Sequence, residues 1–168
     1  MLEPAVVTYR TSARLSRRMS EALGAVCSHF AILEWNVDRT IWALTGNDRK
    51  RGRHLTKKML NERRIKRLRL EANNRFGANS ASARFYNQLA DHIHNLALIR
   101  NLYVHGLWSK GKAPGTRRKQ FVLSYFTNPN GDAEGVDLPT LKGFVRLVDL
   151  TKLALERAAI DHLGEKLP

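Results

Sequence analysis

The sequence has one cysteine and no long hydrophobic run, and these two shortages exclude whole classes of protein. Cys27 is the only thiol, so the chain forms no internal disulfide, and no Cys/His spacing around it indicates structural zinc. We expect Cys27 to be a small buried residue in a reducing compartment, with no metal or cofactor bound. No segment approaches the roughly 18 apolar residues of a membrane span, and no signal-peptide pattern opens the chain. We therefore predict a soluble, cytoplasmic protein without a membrane partner.

Acidic residues are also few. The chain has 29 Lys and Arg residues against 15 Asp and Glu residues, which gives a formal net charge of +14. An excess of this size favours an anionic partner. Nucleic acid is the leading candidate, ahead of an acidic protein and a membrane surface. Charge alone does not separate the three, because a polybasic face serves all of them.

The spacing of apolar residues predicts four helices in a single domain, residues 1–168. Thr11 or Ser12 is the expected cap of the first helix, and Ser80 or Ser82 is the expected cap of the third. A loop around Gly52 precedes the second. The predicted helices cover about residues 11–45, 55–76, 81–105 and 139–163.

Between the third and fourth helices the sequence changes character. "QFVLSYFT" is the only convincing strand, and its partner is either a strand near Ala133 to Leu138 or the residues Leu107 and Trp108. The β insertion covers about residues 107–138. The whole pattern predicts an all-α fold, an antiparallel four- to five-helix bundle with a small β-hairpin insertion near the C-terminal third.

Basic residues concentrate between Arg49 and Arg69, where eleven Lys or Arg residues stand against one acid. A solvated charged face usually mixes both signs, so this one-sign excess favours an anionic partner. A loop before the strand adds more positive charge. The candidate RNA-binding residues are Arg49, Lys50, Arg51, Arg53, Lys57, Lys58, Arg63, Arg64, Lys110, Lys112, Arg117 and Arg118.

The stretch "IRNLYVHGLW" places Arg100, Asn101 and His105 in an otherwise apolar helix. At about 100° per residue, Arg100 points into the arc that faces the bundle, whereas Asn101 and His105 lie on the neighbouring side and can touch. Leu98 and Leu102 flank His105 on a second apolar face, which favours a central helix or a subunit contact. Arginine binds phosphate and histidine transfers protons, so the group suits metal-free attack of an RNA 2′-hydroxyl on its own 3′ phosphate.

The motif in this stretch, "RNLYVH", is an arginine, a polar residue, three further residues and a histidine at a helix end. It resembles the motif of the HEPN superfamily of all-α ribonucleases and RNA-binding proteins. The resemblance implies a four- or five-helix bundle, a homodimer that brings two motifs into one cleft, and metal-independent endoribonuclease activity. Arg100, Asn101 and His105 are the matching catalytic positions. The face of Leu98, Leu102 and His105 is then the expected dimer interface.

The same resemblance bears on biological role. Many members of the superfamily are toxins in toxin–antitoxin or antiviral defence systems, so an acidic antitoxin or other complex member is a candidate partner. One subgroup, modified by a partner nucleotidyltransferase, has a tyrosine two residues after the histidine, where this chain has Leu107. The alternative function is a non-catalytic RNA-binding or interaction module of the same fold.

Two residues are candidates for supporting this motif. Glu34 interrupts the apolar side of the first helix, and a buried glutamate needs a cation, for which Arg100 is the obvious choice. The alternative for Glu34 is a solvated flank position. His94 falls on the side of Asn101 and His105, where it can line the cleft, and His92 faces elsewhere.

Single-strand binders stack bases on aromatic side chains, and Trp35, Trp42 and Trp108 are candidates for this role. Trp35 and Trp42 occupy helical positions, so we predict that they belong to the core. Trp108 is the exception, because it follows the motif and precedes the basic loop, and it is a further candidate support residue. We predict that His54 and His162 are ordinary surface residues.

Overall fold

Five helices make up most of the described chain, which comprises residues 15–110, 120–123 and 133–164 of a computed structural model. The predicted helical class is confirmed. Among the described residues, no helix is long and apolar enough to cross a membrane. In chain order the elements are α1 (Arg17–Leu44), α2 (Arg49–Thr56), α3 (Asn61–Phe76), α4 (Ala81–His105), β1 (Leu107–Lys110), β2 (Gln120–Leu123), β3 (Ala133–Val136) and α5 (Leu138–Leu163).

Side-chain caps set the starts of most helices. A capping oxygen that accepts a backbone hydrogen bond satisfies one of the free donors of the first turn. Because Ser16 accepts from the Met19 amide at 3.3 Å, α1 begins at Arg17. The predicted caps Thr11 and Ser12 lie outside the described residues. The capping residues are Ser16 for α1, Asp48 for α2, Ser80 for α4 and Asp137 for α5.

The basic segment forms two helices rather than the predicted loop around Gly52 followed by one helix over 55–76. Asp48 Oδ1 accepts from the Arg51 amide at 2.8 Å and starts α2 early. Gly52 then lies buried in the middle of α2, against the Trp42 ring. A glycine predicts a loop because of its low helix propensity. Here the Asp48 cap and the close contact with Trp42 outweigh that propensity.

The predicted antiparallel arrangement applies to α3 and α4. Arg69 pairs with Asp91, and Asn87 donates to Asn73 at 3.0 Å. Residues later in α3 therefore meet residues earlier in α4. This register places Asn61, the first residue of α3, opposite the part of α4 near Ile99.

In contrast, α1 and α5 are neighbours that run in the same direction. His29 Nδ1 lies 2.8 Å from Asp149 Oδ1, and Asn36 Nδ2 donates to Glu156 Oε1 at 3.0 Å. Both contacts join residues 120 apart in sequence, so the two helices advance together. A short loop forces antiparallel packing, but these helices are separated by most of the chain and are free of that constraint.

The β region is small, with three strands of four residues each. The middle strand, β2, pairs antiparallel with β1 through Leu107 and Leu123, and with β3 through Gln120 and Val136. The sequence left open whether β2 pairs with residues 107–108 or with a strand near 133–138, and it pairs with both. The rest of the predicted strand, 124–127, lies outside the described residues.

Two residues lie in environments that the sequence did not predict. Cys27 is exposed rather than buried, because it follows the buried Val26 and is turned by about 100° onto the outer face of α1. His162 is half-buried rather than on the surface. Its ring lies 5.6 to 5.9 Å from the rings of Phe76, Phe85 and Tyr86, which form an aromatic cluster at the end of α5.

Candidate functional site

Arg100 lies inside the bundle, on the side of α4 that faces α1. Its Cζ is 4.9 Å from the centre of the Phe30 ring, and its Nη2 is 3.6 Å from Glu34 Oε1. Only 22% of the side chain is exposed, and Nε is buried without a hydrogen-bond partner among the described residues. The inward direction of Arg100 and its pairing with Glu34 both agree with the sequence pattern.

Glu34 also approaches Arg64, from α3, so one carboxylate lies close to two arginines. Arg64 Nη1 is 3.9 Å from Glu34 Oε1, and Arg64 Nε donates to Asp38 Oδ1 at 2.8 Å. Burial raises the pKa of Asp38, and the hydrogen bond from Arg64 opposes that rise. Arg64, one of the predicted RNA-binding residues, is thus paired with an acid inside the fold, because its largely buried charge needs a partner.

Asn101 and His105 are exposed on the neighbouring side of α4. The register of α3 against α4 places both residues beyond the N-terminal end of α3, so that helix does not cover them. No hydrogen bond joins Arg100 to Asn101 or His105, all three of which lie in the described part of the chain. The chain therefore presents the arginine and the histidine on different sides of the same helix.

The surface around His105 is partly apolar. Leu98 is 52% exposed and Leu102 is half-buried. The chain leaves α4 at Gly106, whose amide bonds to the Leu102 carbonyl at 2.9 Å. Trp108 is half-buried and its Nε1 donates to the Tyr103 carbonyl at 3.1 Å, which fixes the start of β1 against the last turn of α4. Trp108 therefore contributes to the end of the motif helix.

The two histidines in the middle of α4 face different helices, as expected. His92 Nε2 lies 3.1 Å from Thr151 Oγ1 on α5. His94 is half-buried on the α3 side. The pKa of Glu62 is lowered mainly by Lys66, and His94 lowers it slightly further. His94 is therefore directed towards the first turn of α3.

A second feature is a cleft of about 670 Å³ between α1, α2 and the start of α3. We call it the basic cleft. Trp35 is half-buried in its wall, and the edge-to-face pair of Trp35 and the buried Trp42 has ring centres 5.1 Å apart. The residues that line the cleft are Trp35, Asp38, Trp42, Arg49, Lys50, Arg53, His54, Thr56, Lys57 and Arg64.

Sequence reasoning identified the basic residues but not this cleft. Trp42 is fully buried, as predicted. Trp35 was predicted to lie in the core as well, but it is half-buried and lines the opening of the cleft, together with the exposed His54. The available signal was the spacing of the two tryptophans. They lie seven residues apart, and so on one face of α1, directly before the basic segment.

The remaining predicted RNA contacts fall into two groups. Arg51, Lys58 and Arg63 are exposed outside the lining of the cleft, and Lys50 is exposed within it. The others are Lys112, Arg117 and Arg118, which lie outside the described residues, and the Lys110 side chain, which is likewise not described.

Comparisons with models of protein families, with curated proteins and with solved structures found no match to this chain. Within residues 15–110, 120–123 and 133–164, no three His, Cys, Asp or Glu side chains are grouped so that they could hold a metal ion.

Proposed function

We propose that the chain is a metal-independent endoribonuclease of HEPN type that is active as a homodimer. The observation that carries this proposal is the arrangement of the motif on α4. Asn101 and His105 are exposed beside exposed Leu98, whereas Arg100 points to the α1 side and is held by Glu34. Because Arg100 and His105 of one copy lie on different sides of α4, we expect the catalytic group to combine Arg100 and His105 from two copies of the motif.

The exposed surface of Leu98, Asn101, Leu102 and His105 supports a contact between two copies. Leu98, which is 52% exposed, and the half-buried Leu102 form an apolar strip bordered by the polar Asn101 and His105, and a contiguous apolar patch with a polar border favours a subunit contact. In a two-fold contact the same patch meets itself, so two copies of a residue near the axis come close together. Two His105 side chains at the end of α4 would then lie on opposite sides of one cleft.

The chemistry follows from the side chains. His105 takes the proton from an RNA 2′-hydroxyl, the 2′-oxygen forms a bond to the adjacent phosphorus, and the bond to the 5′-oxygen breaks. The 5′-oxygen leaves with a proton from solvent, and His105 later returns its own proton to solvent. The products are a 2′,3′-cyclic phosphate and a 5′-hydroxyl. Arg100 stabilises the extra charge on the phosphorus oxygens, and Asn101 orients the imidazole or a ribose.

The test is cleavage of single-stranded RNA by the purified chain in EDTA. We expect products with cyclic phosphate ends and a loss of about 10²-fold or more in His105→Ala. Asn101→Ala is expected to weaken cleavage, whereas its matched control, Asn95→Ala, changes an exposed asparagine on another face of α4 and leaves the rate unchanged. Intact RNA at high protein concentration, or equal cleavage by His105→Ala, would contradict the proposal.

A non-catalytic RNA-binding or interaction module of the same fold is the second candidate. The specific observation in its favour is that Glu34 already pairs with Arg100, while the basic cleft lies on a different part of the surface. This function predicts binding that falls steeply with salt and no cyclic phosphate product. A toxin or defence role adds an acidic antitoxin as partner. Retention of a small acidic protein at high salt, during purification from the native host, tests that role.

A further inference from the structure

The basic cleft has the size of a small-ligand site. Its volume of about 670 Å³ lies within the range of roughly 300 to 1,000 Å³ that is usual for such sites. It combines an aromatic wall with a cationic rim. Trp35 and Trp42 come from α1, and the rim residues Arg49, Arg53 and Lys57 come from α2 and the residue after it.

The floor of the cleft is rigid. Gly52 lets the α2 backbone lie against Trp42 so closely that a Cβ at this position would be 2.2 Å from the ring. Trp42 Nε1 donates to Thr56 Oγ1 at 3.2 Å, and both residues are buried. These contacts fix α2 on α1 from two sides. A preformed site of this kind binds a ligand without the entropic cost of ordering its walls.

The rim has unpaired positive charge. Arg49, Lys50, Arg53 and Lys57 are exposed, and none of them forms an ion pair with another residue of the described chain. Arg49 lies over the Trp35 ring, with its Cζ 5.7 Å from the ring centre. A guanidinium stacked on an aromatic ring forms a planar surface on which a further flat group can stack.

The inner end of the cleft differs from its rim. Asp38 lines the cleft with only 10% of its side chain exposed, and it accepts a hydrogen bond from Arg64. Because Arg64 pairs with this carboxylate, the inner end adds no net positive charge to that of the rim, and a carboxylate oxygen still accepts a hydrogen bond from an amino group. The cleft therefore fits a ligand with a phosphate at one end and a flat ring with N–H donors at the other.

We propose that the basic cleft binds one unpaired nucleotide, with its base against the Arg49–Trp35 stack and its phosphate on Arg53 and Lys57. The base carries an exocyclic amino group directed towards Asp38. This nucleotide comes either from an RNA strand, a source that rests on the proposed function, or from free nucleotide in solution. Both sources share the same chemistry. The site is separate from the α4 motif, because it is built from α1, α2 and α3.

Binding of a fluorescently labelled 2′-O-methyl adenosine hexamer measures this site without cleavage, since the probe has no 2′-hydroxyl. We expect Trp35→Ala to weaken binding by about tenfold, in line with the loss of one base stack, and Trp35→Phe to retain most of it. Arg53→Ala and Lys57→Ala, which change exposed residues, are also expected to weaken binding. The matched control is Arg146→Ala, which removes the same charge from the exposed surface of α5.

Competitors identify the source of the nucleotide. Displacement of the hexamer by an equal concentration of adenosine monophosphate assigns the site to free nucleotide, and displacement by unlabelled hexamer alone assigns it to RNA. The proposal is overturned if inorganic tripolyphosphate, which has no base, competes as well as the hexamer. It is also overturned if Arg53→Ala and Lys57→Ala bind as tightly as Arg146→Ala. Cleavage of ordinary RNA is measured separately, so failure of catalysis leaves this result intact.

Discussion

The carboxylate of Glu34 lies 3.6 Å from the guanidinium of Arg100 and connects the first helix to the helix that carries the RNLYVH motif. The same carboxylate lies 3.9 Å from Arg64. Three helices therefore meet at one acid. Removing it leaves two half-buried cations with one fewer partner, which affects both stability and the position of Arg100.

Glu34→Gln tests this connection. We expect a loss of about 1 kcal/mol in the free energy of unfolding, because both partners are more than two-thirds buried but the contacts are longer than a hydrogen bond. RNA cleavage should also fall, since Arg100 loses its anchor. Urea denaturation and the cleavage assay measure the two effects. The control Glu21→Gln removes an exposed partner of Arg17 and should change neither. If Glu34→Gln has the same stability and the same activity as the wild type, Glu34 does not hold Arg100 in position.

Two glycine substitutions should change stability in opposite directions. Gly52→Ala places a Cβ 2.2 Å from the Trp42 ring and forces α2 away from α1, which lowers the free energy of unfolding by about 1 to 3 kcal/mol. Gly143→Ala, on the exposed side of α5, meets no atom within 4 Å and should stabilise its helix by about 0.5 to 1 kcal/mol. Urea midpoints compare the two variants directly. Equal stability of the two would mean that Gly52 is not needed for close packing.

Leu98→Glu is expected to separate a dimer into monomers. The charge is introduced beside His105, in the patch that we propose as the subunit contact. Leu70 on α3 is 49% exposed, close to the 52% of Leu98, so Leu70→Glu is a matched control that should remain dimeric. Sedimentation velocity over a range of concentrations gives the oligomeric state. A monomeric wild-type protein would contradict the proposed dimer. A Leu98→Glu variant that remains dimeric would show that the subunit contact lies elsewhere on the surface.

Local sequence patterns predicted much of the fold. The apolar spacing identified the long helices, because burial of one face imposes a helical period on the sequence. The early start of α2 depends on a cap at Asp48 together with a contact between Gly52 and Trp42, ten residues apart. The shared direction of α1 and α5 depends on pairs such as His29 and Asp149, which are 120 residues apart. The Asp48 cap is a local signal, but no local pattern shows the contact between Gly52 and Trp42 or the shared direction of α1 and α5.

The candidate site was predicted only in part for the same reason. The helical wheel placed Arg100 inside the bundle. The sequence left Glu34 open between a partner for Arg100 and a solvated flank position, and the structure has the pair. The basic cleft was missed because Trp35 has the helical spacing of a core residue, and only the position of α2 leaves it at an opening. The pairing of Arg64 with Asp38 was not predicted, because a run of basic residues does not show which one turns inward.

The central claim is that two copies of the motif complete one catalytic group, and a mixing experiment tests it most directly. Arg100→Gln and His105→Ala are purified separately, checked for folding by circular dichroism, and assayed for RNA cleavage in EDTA alone and after subunit exchange. Each variant alone should be inactive. The mixture should regain part of the wild-type rate, because a mixed dimer contains one intact Arg100 facing one intact His105. Two folded variants whose mixture cleaves RNA no faster than either one alone would contradict the account.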